Sequence, residues 1–331
     1  MPSVLFLTQS GPTLPSVRFR VLPFVEHGRG RGYSVDFRRI PKSIVERLPF
    51  LLMLPHVDTI VIQKKLFAQF ELKLLRRKCR TLVFDFDDAL WTFHPSEPPG
   101  PARDRRVAKI ARRFEKVCPR VDLVVAGNRY LAERAVPLNP NVRVVPTPID
   151  TDVYVPAERK AHNPRPTVGW MGTASNLYFL PEVFSTLNPY VDRLHFCVIA
   201  DKRFSERYKT AADFEFWHPE REVAQLQAMD IGLMPLTDDD YTRGKCGFKI
   251  LQYMACGVAP VASNVGFNRE IIEHGKDGFL VDRPEQWPEY VLLLAEKPEL
   301  RARMAAAGRE KVVREFSLTA LADKFWQALG I

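Results

Sequence analysis

Residues 243–263 read Arg243-Gly-Lys-Cys-Gly-Phe-Lys-Ile-Leu-Gln-Tyr-Met-Ala-Cys-Gly-Val-Ala-Pro-Val-Ala-Ser263. The pattern predicts a helix that starts beside two glycines, ends at Gly257 and is followed by a short apolar strand. A helix that leads directly into a buried strand is typical of parallel α/β sheets. The start of such a helix exposes unsatisfied N–H groups, so this stretch also predicts an anion site.

The same alternation of strands and helices extends along the whole chain. In the first half, apolar runs predict strands at Ser3–Leu7, Ser34–Phe37, Thr59–Gln63, Thr81–Phe84, Asp122–Ala126 and Val142–Val145, with helices near 17–30, 66–78, 103–117 and 128–136. In the second half they predict strands at Thr167–Trp170, Leu194–Ala200, Ile231–Leu236, Ala259–Ser263 and Gly278–Val281, with helices near 177–187, 220–229, 247–256, 268–274 and 298–315. Two doubly wound α/β domains are therefore expected.

The length of 331 residues suits two domains of similar size. Asp150–Pro166 is rich in proline and charge and is the predicted linker, which gives an N-terminal domain at 1–158 and a C-terminal domain at 159–331. The last helix is expected to pack back on the N-terminal domain. Ligands in such sheets bind beyond the carboxyl ends of the strands, so an interdomain cleft is the expected active site.

The net charge of +9 is unevenly distributed. Residues 1–158 hold 26 Lys+Arg against 16 Asp+Glu, a net +10, which leaves −1 for residues 159–331. The excess concentrates in two segments, Lys73–Arg80 and Arg103–Arg120. Neither has the interleaved aromatic residues of single-strand binders, so we expect no nucleic acid and favour an anionic membrane surface or a polyanionic substrate.

The five cysteines are scattered and lack the short paired spacings of zinc or redox sites. We therefore expect no metal, no cofactor and a reducing, cytoplasmic setting. The start of the chain has no signal-peptide pattern, and no apolar run reaches the roughly 18 residues of a spanning helix. The expected location is the cytoplasm, with contact at the inner face of the membrane.

Two lysines mark the start of the predicted helix at 247–256. Lys245 and Lys249 are four residues apart and would share one helical face, with Arg243 nearby. Two ammonium groups beside exposed N–H donors suit a diphosphate. The alternative is a helix start with solvated lysines. Similarly, the loop Thr8–Arg20 leads into a helix bearing Arg18 and Arg20, which indicates either a second anion site or a connection with surface arginines.

Several short matches point to one family. They are Met254-Ala-Cys-Gly257, Val261-Ala-Ser263, Val265-Gly266, Glu270, Gly278-Phe-Leu-Val281 and Val144-Val-Pro-Thr-Pro-Ile-Asp150. In these residues the chain resembles family-4 glycosyltransferases (glycosyl transferases group 1). The resemblance implies a GT-B fold, in which two Rossmann-like domains face an interdomain cleft. It also implies transfer of a hexose-type sugar, with retention, from a nucleotide diphosphate-sugar to a saccharide or lipid-linked acceptor, in cell-surface polysaccharide or glycolipid synthesis.

The chain departs from the family at its paired glutamates. Aligned on Met254-Ala-Cys-Gly257, the two glutamate positions fall on Gly244 and Gln252. The resemblance then assigns Gln252 to the ribose hydroxyls and Glu270 to the ribose or sugar. The family's Arg and Lys after the first strand of this domain are missing, but backbone N–H groups of Gly172 and Thr173 could contact a phosphate there. Arg243, Lys245 and Lys249 would hold the diphosphate, and Lys245, Lys249 and the helix start would stabilise the charge on the leaving group.

Three carboxylates follow a predicted strand in Phe84-Asp-Phe-Asp-Asp-Ala-Leu-Trp91. Their mutual repulsion should raise at least one pKa. Asp87 or Asp88 is therefore predicted to act on the acceptor or sugar side, as a proton acceptor or hydroxyl anchor. The alternatives are helix capping, pairing with basic residues, or the D-x-D metal pattern of another glycosyltransferase fold, which GT-B enzymes do not need.

Two other functions remain open. A GT-B sugar-nucleotide epimerase or phosphorylase would share the phosphate site, and product analysis without added acceptor distinguishes it. A non-catalytic adaptor on the same scaffold would bind lipid or RNA without nucleotide-sugar turnover.

Overall fold

The structure is a computed structural model that describes residues 1–158, 164–202 and 212–331. Its contacts divide the chain into two units. The first contains Met1–Pro148, Asp239–Cys246 and Leu318–Ile331, and the second contains Ile149–Asp238 and Gly247–Ser317. The first division thus falls at Pro148 rather than between residues 158 and 159, and two later segments return to the first unit. Residues 159–163 of the predicted linker lie outside the described residues.

The first unit is a parallel sheet of six strands in the order β2-β1-β3-β4-β5-β6. The strands are β1 Ser3–Thr8, β2 Ser34–Arg39, β3 Val57–Gln63, β4 Cys79–Phe86, β5 Leu123–Ala126 and β6 Val142–Val144. The helices are α1 Pro15–Arg18, α2 Leu22–Gly30, α3 Ile44–Leu52, α4 Gln69–Arg76, α5 Pro101–Val117, α6 Arg129–Ala135, α9 Asp240–Arg243 and α14 Leu318–Ala328.

The central strands of this sheet are apolar because helices cover both of their faces. Residues 59–63 of β3 and 82–86 of β4 are all buried. The register places Gln63 opposite Asp85, so β3 and β4 reach the same edge of the sheet with their carboxyl ends. That edge is where side chains that follow the strands meet.

The last helix packs on the first unit. Phe325 of α14 stacks on Phe24 of α2 with ring centroids 4.0 Å apart. The indole of Trp326 is 1% exposed and donates to Nδ1 of His27 at 3.1 Å. Gly28 lies beneath this indole, since a Cβ there would come within 2.6 Å of the Trp326 ring. Helix α14 therefore covers one face of the sheet near β1.

The second unit is also a parallel sheet of six strands, in the order β12-β11-β10-β7-β8-β9. The strands are β7 Thr167–Gly172, β8 His195–Ala200, β9 Asp213–Phe216, β10 Ile231–Met234, β11 Ala259–Ser263 and β12 Phe279–Val281. The helices are α7 Leu180–Leu187, α8 Glu222–Gln227, α10 Phe248–Ala255, α11 Asn268–Ile271, α12 Gln286–Glu296 and α13 Pro298–Glu315. Two doubly wound α/β sheets confirm the predicted fold class.

The differences from the predicted elements have local causes. The helix expected at 17–30 is two helices, because Pro23 starts a new one at Leu22. The sequence patterns did not predict α3 or β9. Across the part of the chain that the structure describes, no helix is both long and apolar enough to cross a bilayer.

Candidate functional site

The first of the three carboxylates, Asp85 at the end of β4, belongs to a buried ion pair. Arg20 is 1% exposed, and its Nε and Nη2 donate to the two oxygens of Asp85 at 2.8 and 2.7 Å. Its Nη1 donates to the carbonyl of Val145 and to Thr147. Burial raises the pKa of Asp85, with Arg20 opposing the shift. Arg20 is therefore an internal residue, neither a ligand of an external anion nor a surface arginine, so both alternatives considered for it are wrong.

The next two carboxylates share one cation. The ammonium of Lys64 lies 2.7 Å from Oδ1 of Asp87 and also contacts Asp88. The side chain of Asp87 is 12% exposed, whereas that of Asp88 is 41% exposed. Burial alone would lower the pKa of Lys64, but the two carboxylates raise it above its usual range. Of the two predicted residues, Asp88 is the one that solvent or a ligand can reach.

Lys64 is a site residue that the sequence reasoning missed. It is the one non-glycine residue with positive φ in the described chain, at 60°, and its N–H donates to the carbonyl of Asp85 at 2.8 Å. A lysine in this conformation carries strain that its surroundings must offset. The sequence could have identified Lys64, because it directly follows β3 and the residues that follow parallel strands meet at one edge of the sheet. Both members of the Asp85-Phe-Asp87 pattern thus contact cationic side chains.

Residues 239–246 pack on the first unit. Asp239 caps α9 through the N–H groups of Tyr241 and Thr242, which fixes the start of this segment. The hydroxyl of Tyr130 donates to Asp240 at 3.0 Å. The amide of Asn128 donates to the carbonyls of Gly244 and Lys245 at 3.3 and 3.1 Å, and Cys246 Sγ donates to the carbonyl of Asp87 at 3.1 Å. The segment is thereby held at the acidic strand end.

Close packing requires the glycine at position 244. A Cβ on Gly244 would lie 2.6 Å from Cβ and 2.8 Å from the backbone nitrogen of Ala89. Real Cβ atoms do not approach a neighbour this closely, and a backbone nitrogen cannot move aside as a flexible side chain does. No glutamate fits at this position, which gives the departure from the family pattern a physical reason.

Lys245 does not share a helical face with Lys249. Helix α10 begins at Phe248, after Gly247 with a φ of 59°, so Lys245 precedes the helix and the prediction of a shared face is wrong. Its ammonium lies 4.8 Å from the ring centre of Tyr241. Burial lowers the pKa of Lys245, and Asp88 opposes the shift. Arg243 ends α9 and is exposed. These two cations thus belong to the first unit.

Lys249 lies in the second unit with part of the predicted phosphate loop. It occupies the first turn of α10, at the positive end of the helix dipole. Its ammonium lies 5.4 Å from the ring centre of Trp170, and a Cβ on Gly172 would come within 2.7 Å of its Cε. The end of β7 and the start of α10 are therefore adjacent. Thr173 follows directly and accepts a bond from Asn176 Nδ2 at 2.9 Å.

Glu270 lies on the neighbouring helix. It is exposed on α11, and a Cβ on Gly247 would lie 2.4 Å from Cδ1 of Ile271 in that helix. The starts of α10 and α11 are thus in contact. The structure therefore places Gly172, Lys249 and Glu270 on elements that meet at the carboxyl edge of this sheet.

Gln252 occupies a different environment. It is 6% exposed, and its Nε2 donates to Oε1 of Glu222 at 2.6 Å. The hydroxyl of Tyr154 donates to the same oxygen at 2.7 Å, and the indole of Trp217 donates to the other oxygen at 3.2 Å. The amide thus helps to satisfy a buried carboxylate. Binding of the ribose hydroxyls by Gln252 stays a prediction, although its Nε2 already donates to Glu222.

A cavity of about 320 Å³ opens in the second unit beyond β10 and β11. It is lined by Tyr178, Phe179, Pro181, Glu182, Val183, Pro235, Leu236, Thr237, Ser263 and Trp287. Aromatic walls with a few polar groups are typical of small-molecule sites. Its position beyond the strand ends agrees with the general location of ligands in such sheets.

The comparisons with known proteins agree with this geometry. Residues 165–297 match the family model "Glycosyl transferases group 1". N-acetyl-alpha-D-glucosaminyl L-malate synthase of Bacillus anthracis is 30% identical over 96 residues. That match covers 28% of this chain and 24% of the relative's length, so the chain spans about a quarter of that curated protein.

Solved structures resemble the whole chain. Sucrose-phosphate synthase from Thermosynechococcus elongatus superposes with a TM-score of 0.80 at 13% identity, over 99% of this chain and 98% of that one. HepE from Anabaena, in complex with UDP and glucose, superposes with a TM-score of 0.73 at 15% identity over 100% of each chain. Residues 165–297 are thus similar to the Glycosyl transferases group 1 family, and the whole chain shares the GT-B fold of these solved structures.

Proposed function

We propose that the protein transfers a hexose-type sugar from a nucleotide diphosphate-sugar to a saccharide or lipid-linked acceptor, with retention, in cell-surface polysaccharide or glycolipid synthesis. The observation that carries the proposal is the position of Lys249 in the first turn of α10, against Gly172 at the end of β7. A cation at the positive end of a helix dipole suits a diphosphate. HepE was solved in complexes with UDP and with UDP-glucose, which makes a uridine nucleotide the first donor to test.

Lys249 has the main role in the proposed chemistry. As the bond between the sugar and the diphosphate breaks, the leaving diphosphate keeps the electron pair and gains negative charge. The ammonium of Lys249 and the N–H groups at the start of α10 stabilise that charge more than they stabilise the intact donor. The backbone at Gly172 and Thr173 supports the phosphate, and Glu270 binds a hydroxyl of the ribose or sugar.

Asp88 is assigned to the acceptor or sugar side. It is the most exposed of the carboxylates Asp85, Asp87 and Asp88, and the ammonium of Lys64 contacts it. An ionised carboxylate accepts hydrogen bonds from hydroxyl groups, as a saccharide acceptor requires. Asp87 is proposed to hold Lys64, since it is nearly buried beside that ammonium. Arg243 and Lys245 add positive charge in the first unit.

Ligand-induced stabilisation tests the donor site. A nucleotide diphosphate that binds the native state at 100 times its Kd should stabilise the protein by about 2.7 kcal/mol, seen as a higher melting temperature. UDP, GDP and ADP are compared, each alone and as the glucose conjugate. Lys249→Ala should abolish the shift, whereas Lys276→Ala, which removes an exposed lysine of the same unit, should preserve it.

Turnover separates the candidate reactions. Donor consumption that requires a saccharide or lipid acceptor supports transfer, whereas an altered sugar nucleotide formed without acceptor indicates epimerisation. The proposal fails if no nucleotide diphosphate shifts the melting temperature, or if Lys249→Ala binds and turns over the donor like the unmodified protein.

A further inference from the structure

Helix α3, Ile44–Leu52, turns an apolar surface outward. The exposed fractions are 47% for Ile44, 77% for Val45, 40% for Leu48 and 53% for Leu52, and Met53 directly after the helix is 76% exposed. At 100° per residue, positions 44, 45, 48, 49 and 52 lie within about 140° of the helix circumference. Position 49 is an exposed proline, so this outward arc contains no polar side chain. We call these residues with Met53 the α3 ridge.

The α3 ridge is not part of the hydrophobic core. The opposite side of α3 supplies the buried contacts, through Leu51 and the following Leu54. Arg47 also faces inward and pairs with the buried Glu71 of α4. The helix is thus anchored by one side while its second apolar side remains exposed. Contiguous exposed apolar surface of this kind marks an interaction site.

Basic residues surround the ridge. Arg38, Arg39 and Lys42 are exposed immediately before α3. On the other side, α3 packs on α4, and α4 packs on α5. Helix α5 exposes six basic residues, Arg105, Arg106, Lys109, Arg112, Arg113 and Lys116, and Arg120 shortly after the helix is also exposed.

Charged residues of α3 and α5 act on the same neighbouring side chain. Burial lowers the pKa of Lys65, Arg47 of α3 lowers it further, Glu71 opposes the shift, and Arg113 of α5 adds to it. The positive charges of Arg47 on α3 and Arg113 on α5 therefore both act on Lys65. The exposed acidic residue of α3 itself is Glu46. The surface around the ridge is thus predominantly cationic.

We propose that the α3 ridge docks on an anionic lipid bilayer, with its apolar side chains in the interfacial region and the surrounding basic residues at the headgroups. An exposed apolar stripe with flanking lysines and arginines is the pattern of helices that lie in a membrane interface. A surface for another protein would not need so wide a basic surround. The inference extends the proposed use of a lipid-linked acceptor, because it assigns the surface by which the enzyme reaches lipid.

Vesicle co-sedimentation without nucleotide sugar or acceptor tests the inference. The full chain is mixed with phosphatidylcholine vesicles that contain 30% phosphatidylglycerol, or none. Each half-exposed apolar side chain should contribute about tenfold to partitioning, so Val45→Asp with Leu52→Asp should weaken binding about 100-fold. Arg39→Gln with Lys42→Gln should weaken it by about fivefold per residue, and only on anionic vesicles.

A matched control uses exposed valines elsewhere. Val136 and Val313 are 59% and 42% exposed, and Val136→Asp with Val313→Asp should leave partitioning unchanged. Equal partitioning of the ridge variant and the unmodified protein would overturn the inference, as would equal loss in the control. A concentration-dependent dimer in lipid-free sedimentation velocity that the ridge variant abolishes would assign the ridge to self-association instead.

Two measurements keep the outcomes separate. The ridge variants should keep the unmodified melting temperature, because the substituted side chains are exposed; the milder Val45→Ser with Leu52→Ser replaces any variant that does not. Donor binding by thermal shift is independent of vesicles. Lost vesicle binding with intact donor binding therefore supports the docking surface, retained vesicle binding refutes it, and neither result bears on the proposed transfer reaction.

Discussion

Gly244→Ala is the most informative single substitution for the acidic strand end. The added Cβ would stand 2.6 Å from Cβ of Ala89, 2.8 Å from its nitrogen and 3.1 Å from its Cα. Two of these three atoms are backbone, so the segment 239–246 must move away. Overpacking of this kind costs about 1–3 kcal/mol.

The movement should also weaken hydrogen bonds. Asn128 holds the carbonyls of Gly244 and Lys245 at 3.3 and 3.1 Å, already long for N–H···O bonds. Each such bond contributes about 0.5–1.5 kcal/mol. The expected loss is therefore about 2–4 kcal/mol in the stability of the first unit, and hydrogen exchange of residues 239–246 should accelerate.

Chemical denaturation and hydrogen exchange by mass spectrometry measure the two effects. Gly30→Ala is the matched control, because a Cβ there meets nothing within 4 Å and should be neutral or slightly stabilising. Ala89→Gly in the Gly244→Ala background removes the 2.6 Å contact but leaves the backbone nitrogen, so only partial rescue is expected. A Gly244→Ala protein as stable and as protected as the unmodified chain would refute the close-packing argument.

Three further substitutions test buried contacts by denaturation. Asp85→Asn leaves the guanidinium of Arg20 buried without its counter-charge and should cost about 3–5 kcal/mol; a loss below 1 kcal/mol would contradict the pairing. Gln252→Leu removes one donor to the carboxylate of Glu222 and should cost about 1–3 kcal/mol, with donor affinity unchanged if Gln252 does not touch the ribose. Burial lowers the folded pKa of His27 below its usual 6.5, so the unfolded chain binds more protons and stability should fall as pH drops below 6.5. His27→Gln should flatten that slope, and an unchanged slope would show that another group causes it.

The sequence predicted the strands well because central strands of parallel sheets are buried on both faces and appear as apolar runs. It did not predict α3, where Pro49 interrupts the pattern and apolar residues occupy both sides, so no amphipathic period is visible. It did not predict β9, because that strand pairs with β8 alone and three of its four residues are exposed. An edge strand of this length lacks the apolar run that marks a central one.

The sequence indicated which residue types lie at the candidate site, but not which residues they contact. The carboxylates, glycines and Lys249 were identified from residue types at strand and helix ends, since those positions follow from the alternation. The hydrogen-bond partners of the site residues were not identified, because they are distant in sequence. Arg20 lies 65 residues from Asp85, and Glu222 lies 30 residues from Gln252. A buried charge needs a partner, but one sequence does not say which residue supplies it.

The backbone at Gly247 explains why spacing misled the assignment of Lys245. Four residues separate it from Lys249, and a continuous helix would align them, but a left-handed residue between them ends any helical relation. Two constraints require glycine there, the φ of 59° and the 2.4 Å approach of a Cβ to Ile271. Glycine at 244 is likewise required by Ala89, and Lys245, whose shared face with Lys249 was wrongly predicted, lies between these two glycines. Where two glycines flank a cation, helical spacing is therefore weak evidence for a shared face, and the first-unit contacts of residues 239–246 follow from that break in the backbone.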